Sequence, residues 1–120
     1  MCIRDRLNFN ILIHANTDKT GAQETKSLVD DHKVNSRVVI GDLTDQNFVN
    51  DLVNEASKLG DLSVLVNNAS QRNFFKFEDM TYEDWRHILN INLDAVFLTL
   101  SLIHISDPRD RTRSRMPSSA

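Results

Sequence analysis

The chain has a single cysteine, Cys2, so no internal disulfide can form and no multi-cysteine metal site can be built. That usage suits a reducing compartment. No run approaches the roughly 18 apolar residues that cross a bilayer, and Arg4, Asp5 and Arg6 stand where a signal peptide would carry its apolar segment. No membrane partner is therefore expected, and a cytoplasmic location is. Proline is absent from Leu7 to Thr99. Both prolines, Pro108 and Pro117, fall in the last 20 residues together with Arg109, Arg111, Arg113 and Arg115.

What remains is ordinary for one small soluble domain: 120 residues, 40% hydrophobic and 26% charged. The charge is uneven. With Asp5, Asp107 and Asp110, Arg4 and Arg6, and the four tail arginines set aside, Leu7 to Thr99 holds 14 acidic against 8 basic residues. An acidic domain with a basic end can be read as a nucleic-acid arm, but a different origin fits the ends better.

The opening MCIRDR back-translates as ATG TGT ATA AGA GAC AGn, whose reverse complement begins CTG TCT CTT ATA CAC AT. Those codons spell the order of Leu100, Ser101, Leu102, Ile103, His104 and Ile105. One short DNA element in two orientations thus encodes both ends, and it resembles the transposon end used in sequencing-library preparation. Ser114 to Ala120 can likewise be encoded by a string resembling a flow-cell adapter. Residues 1–6 and 100–120 are accordingly expected to be adapter-derived, the latter disordered, and carry no functional weight. The competing account is a native amphipathic extension with a basic tail for RNA or lipid. On the adapter reading no nucleic-acid partner is expected.

Within 7–99, Asn10–Asn16 carries an isoleucine-rich run suited to a strand buried on both faces. Thr17–Lys33 reads as helix, Val38–Ile40 as a second strand ending at Gly41-Asp42-Leu43. Thr44 or Asp45 can cap a helix bearing Phe48, Leu52, Ala56 and Leu59, which Gly60 stops. Leu62–Val66 is a third apolar run, broken by Asn67-Asn68-Ala69-Ser70. Thr81-x-x-Asp84 is a capping box before a helix with Trp85, Ile88, Leu89, Val96 and Phe97. Alternating strands and helices predict an α/β fold, a doubly wound parallel sheet that binds its ligand at the carboxyl ends of the strands.

Three signals in order, Gly41-Asp42-Leu43-Thr44, Asn67-Asn68-Ala69-Ser70 and Asn90-Ile91-Asn92-Leu93, resemble the classical short-chain dehydrogenase/reductase family. The stretch Phe77 to Trp85 leading into Asn92–Phe97 is similar to the acyl-carrier-protein reductase branch. The resemblance covers nearly all of 7–99, read as a partial dinucleotide-binding domain. It implies a Rossmann-like sheet missing its first strand and glycine-rich turn, and missing the C-terminal half with the family's serine and Tyr-x-x-x-Lys pair. Tyr82, with Arg86 four positions on, is no substitute.

By this resemblance Asp42 accepts from an adenine amino group, with the Leu43 backbone N–H beside it. Asn68, Ala69 and Ser70 lie against the cofactor, and Asn92 holds a water in a proton relay to the catalytic lysine. A capping or turn role for Asp42, an Asx turn at Asn67–Ser70 and a structural amide at Asn92 stand beside those readings. The family usually has glycine at the place of Ser70, where a positive φ would mean strain.

Trp85, Ile88, Asn92 and Val96 share a face by helical spacing, so Asn92 is expected to face inward. At Ala15-Asn16-Thr17 no acidic residue repels a 2′-phosphate, which favours NADP, with Asn16 at the ribose and Lys19 within possible reach. His14 and His87 lack partners at ligand spacing, and no metal is expected. Phe74, Phe75 and Phe77 line a substrate mouth or join the core. The expected parent is an NAD(P)-dependent oxidoreductase acting on a small carbonyl or alcohol substrate, homo-oligomeric through the helix bearing Asn92, with this piece inactive alone. A non-catalytic dinucleotide-binding or redox-sensing protein of the same fold is the alternative. The DNA read checks the ends: its codons at residues 1–6 and 100–105 should be the two orientations of the element, and other codons there would return those residues to the protein.

Overall fold

The computed structural model describes residues 9–72 and 76–106. Phe74, Phe75 and the segments 1–8 and 107–120 lie outside the described residues. In chain order the elements are β1 (Ile11–Ala15), α1 (Lys19–Asp30), β2 (Ser36–Ile40) and α2 (Gln46–Ser57), then a 3-10 turn (Phe77–Asp79). A continuous helical rod follows: α3 (Tyr82–Leu89), a π turn (Asn90–Asp94) and α4 (Ala95–Ser106).

β1 and β2 are parallel neighbours, registered from Ile11 opposite Ser36 to Ala15 opposite Ile40. The helix α1 that joins them packs against both, which closes a β-α-β unit. Asp18 starts α1 by accepting from the Gly21 N–H at 2.9 Å. Ala22 and Val29, seven residues apart on one face, are buried by it. Lys33 takes a left-handed φ of 58° as the chain leaves α1, and Val34 behind it is buried. Asn10 ties the entry of β1 to two other segments: its amide donates to the Leu59 carbonyl at 2.7 Å and its oxygen accepts from the Asn35 N–H at 3.3 Å.

Asp45, not Thr44, caps α2, accepting from the Asn47 N–H at 2.9 Å. The helix ends at Ser57, so Leu59 lies beyond it, and Gly60 makes the exit with a φ of 132° that favours glycine. Val49 is fully buried and α2 packs against α4, which buries Ala95 and Thr99 one turn apart. At α3 the expected capping box is complete: the Thr81 hydroxyl accepts from the Asp84 N–H at 3.1 Å, and the Asp84 carboxylate accepts from the Thr81 N–H at 3.0 Å. The Thr81 hydroxyl and N–H hold the Asp84 carboxyl below its usual range.

Three expectations need correction. Leu62–Val66 forms no strand and is exposed; Val64 and Val66 are each more than half accessible. In the doubly wound order a further strand separates this run from β1, and no described residue fills that place, so its backbone has no ladder to join. Second, Trp85 is 47% exposed and Asn92 is exposed rather than inward. The π turn adds a residue to one turn of the rod, and beyond it the buried positions are Ala95 and Thr99; Trp85 precedes the turn, so its exposure has a separate origin. Third, residues 100–106 are helical, because nothing in Leu100–Ile105 is a glycine or proline that would stop α4.

Replacing Val49 by alanine leaves a cavity between α2 and the elements it covers. We expect Val49→Ala to cost about 2 kcal/mol of unfolding free energy, measured by urea denaturation. A loss under about 0.5 kcal/mol would mean that Val49 is not at the centre of the packing.

Candidate functional site

The carboxyl ends of β1 and β2 converge on Gly41 and Asp42. Gly41 extends the ladder by one bond, its N–H donating to the Ala15 carbonyl at 3.1 Å. Its carbonyl is taken by the Nε2 of His14 at 2.7 Å. The Phe48 ring lies over Gly41 so closely that a Cβ there would come within 2.2 Å of it. A side chain at this position would force the Phe48 ring out of its place against the strand ends.

Asp42 turns the chain outward. Its Oδ1 accepts both from the Thr44 N–H and from the Thr44 hydroxyl, each at 2.8 Å. Both bonds fall on one oxygen, so Oδ2 keeps its accepting capacity at an exposed position. The Thr44 N–H and hydroxyl hold the Asp42 carboxyl below its ordinary value, with smaller help from the charges of His87 and His14. Asp42 therefore stays an anion, and therefore an acceptor, through mildly acidic pH. Leu43, half-buried, follows it, and Asn16 is exposed just past the end of β1.

A second group forms around the rod. The Asn92 side chain pairs with the backbone of Gln71 on both sides: Oδ1 accepts from the Gln71 N–H at 2.8 Å and Nδ2 donates to the Gln71 carbonyl at 2.9 Å. One amide thereby does for Gln71 what a neighbouring strand does in a ladder. It uses one of the two Nδ2 hydrogens and leaves the other for a further acceptor. The hydroxyl of Thr99, a residue 5% exposed, lies 3.0–3.1 Å from oxygens of Asn67, Ala95 and Val96, and its single hydrogen can be donated to any one of them. Asn68, Ala69 and Ser70 lie exposed between these two anchors, and Ser70 does not adopt a positive φ.

Sequence reasoning missed Thr99, Gln71, the hold of Thr44 on the Asp42 carboxylate and the His14–Phe48 contact. A hydroxyl four residues past Ala95, set among Val96, Phe97, Leu98 and Leu100, was the available signal for Thr99. Nothing local marks Gln71. His14 and His87 act as structural and electrostatic neighbours of Asp42, and no group of three metal-ligating side chains occurs among the described residues. No helix among the described residues is long and apolar enough to cross a membrane.

The family model for the short chain dehydrogenases matches residues 5–105. The chain belongs to that family. It is 33% identical over 93 residues to the uncharacterized oxidoreductase YohF of Escherichia coli (strain K12), covering 75% of this chain and 36% of that protein. The fold resembles that of acetoin dehydrogenase from Enterobacter cloacae, with a TM-score of 0.76 and 26% identity over 86% of this chain and 41% of the other. It also resembles a blue fluorescent protein from a metagenomic library solved with NADPH, with a TM-score of 0.73 and 25% identity over 82% and 41% of the two chains. The chain spans about two fifths of the length of these relatives. The fold is an incomplete Rossmann sheet of parallel strands under helices, as the strand and helix pattern predicts.

The Asn92–Gln71 pairing is open to direct test. Asn92→Ala removes both bonds and should cost on the order of 1 kcal/mol at this exposed position. Asn92→Asp keeps the acceptor but sets a carboxylate oxygen against the Gln71 carbonyl, so at pH 7 it should be less stable than the alanine variant. Chemical denaturation of the three proteins gives the order, and an aspartate variant as stable as the parent would show that the pairing does not form.

Proposed function

We propose that this chain is the adenosine-binding part of an NAD(P)H-dependent oxidoreductase that interconverts a small carbonyl compound and its alcohol. The observation that carries the reading is Asp42: an exposed carboxylate kept ionised at the carboxyl end of a parallel strand, with one oxygen fixed by Thr44 and the other available. A carboxylate so held suits the exocyclic amino group of adenine, with the Leu43 N–H beside it. Asn16 suits the ribose, and the absence of an acidic side chain at Ala15-Asn16-Thr17 favours a 2′-phosphate, hence NADP over NAD. The small residues Ala69 and Ser70, with Asn68, leave room for the cofactor to approach the backbone.

When bound, the nicotinamide carries the hydride to or from the substrate carbon. Asn92 acts on the proton side as a positioning residue: its Gln71 pairing fixes the amide, and the second Nδ2 hydrogen is free to hold a water in a relay. We further read residues 7–99 as the domain and the ends as adapter-derived. The whole protein is read as a cytoplasmic homo-oligomer with small-molecule substrates, and this piece alone as inactive.

Calorimetric titration of the chain with 2′,5′-ADP, a mimic of the adenosine end of NADP, tests the reading. We expect saturable binding, tighter than that of 5′-ADP, and loosened about tenfold in Asp42→Ala, the loss of one hydrogen bond to a charged group. Absence of saturable binding, or equal affinity in the alanine variant, would contradict it.

A further inference from the structure

We infer that His14 is a positioning residue for the nucleotide site: its imidazole, bonded to the Gly41 carbonyl and packed on Phe48, holds the turn that aims Asp42. The inference rests on the reading of Asp42 as the adenine acceptor and adds a residue that neither the motif nor its spacing singles out.

Gly41 is the last residue before Asp42, and β1 grips both of its main-chain polar groups. The Ala15 carbonyl takes the N–H at 3.1 Å and the His14 ring takes the carbonyl at 2.7 Å, from adjacent residues of one strand. A carbonyl oxygen can only accept, so Nε2 must carry the hydrogen. Phe48 supports the arrangement from α2. Its ring centroid lies 5.7 Å from that of His14, with the planes inclined by 48°, and the same ring covers the bare Cα of Gly41. The peptide between Gly41 and Asp42 is therefore held at its oxygen by His14, while Thr44 holds the carboxylate of Asp42 from the other side. Without the imidazole, the Gly41 carbonyl loses its partner at a half-buried position, and glycine, the residue with the least backbone restriction, is free to rotate that peptide.

The test is nitrogen-15 NMR of the full 120-residue chain with His14→Leu and His14→Gln. In the parent, the ring spectrum at neutral pH should show the hydrogen on Nε2; a hydrogen on Nδ1 alone overturns the inference whatever the variants do. His14→Leu fills similar space without a donor, and the Thr44 amide should then exchange with solvent about tenfold faster, the equivalent of one hydrogen bond. His14→Gln keeps an N–H donor and should restore slow exchange to within about twofold of the parent. Unchanged exchange in the leucine variant, or no recovery with glutamine, overturns the inference. If the leucine variant does not fold, the parent ring spectrum and the glutamine variant decide. The affinity for 2′,5′-ADP should follow the exchange rates. Failure of the parent itself to bind 2′,5′-ADP contradicts the nucleotide reading, and the ring and exchange results then judge the grip of His14 on Gly41 separately.

Discussion

The parallel pairing of β1 with β2 is the constraint on which the rest depends. Its register, Ile11 opposite Ser36 through Ala15 opposite Ile40, decides that both strands finish at the same level. Only because they do can Ala15 and His14 reach the backbone of Gly41, and only then is Asp42 delivered to the edge of the sheet as an outward-facing carboxylate. A slip of one residue would turn His14 to the opposite face and leave the Gly41 carbonyl without a partner. The two helices secure that register from different sides, α1 by covering both strands and α2 by laying Phe48 over Gly41.

The second half of the chain is organised by side chains rather than by a ladder. Leu62–Val66 has no neighbouring strand among the described residues, so the Asn67–Gln71 segment is attached to the helical rod by Asn67 to Thr99 and by Gln71 to Asn92. The π turn lies between Trp85 and Thr99 and sets the phase of the helix so that Asn92 meets Gln71 while Thr99 is buried. A single inserted residue in the rod thus aligns two polar anchors that an uninterrupted α-helix would turn elsewhere.

What was legible in the residues is what short-range chemistry decides. The capping box of Thr81 with Asp84 and the cap of α2, one of the two candidates Thr44 and Asp45, are each settled within about four residues; the stop at Gly60 was legible less closely, since α2 ends at Ser57 and Gly60 makes the exit three residues on. The two strands and three of the helical stretches follow from apolar spacing in the same way. The face of Asn92 was not legible: the period that pointed it inward was anchored on Trp85, itself exposed, and ran on into a π turn, which has no local signature. The failure of Leu62–Val66 to become a strand was not legible either: its apolar run is suitable, but strand formation needs a partner, and partnership is a property of the whole sheet. Asp42 stood out as a candidate, whereas its buttress of His14, Gly41 and Phe48 joins residues 27 or more positions apart in part and leaves no trace in spacing.

The central claim is that adenine is received at Asp42. Intermolecular nuclear Overhauser effects between 2′,5′-ADP and the chain test it most directly. The account predicts contacts from the adenine protons to Leu43 and from the ribose protons to Asn16, at the joined ends of β1 and β2. Contacts confined to other surfaces, such as the α1 face around Gln23 and Ser27, would contradict it.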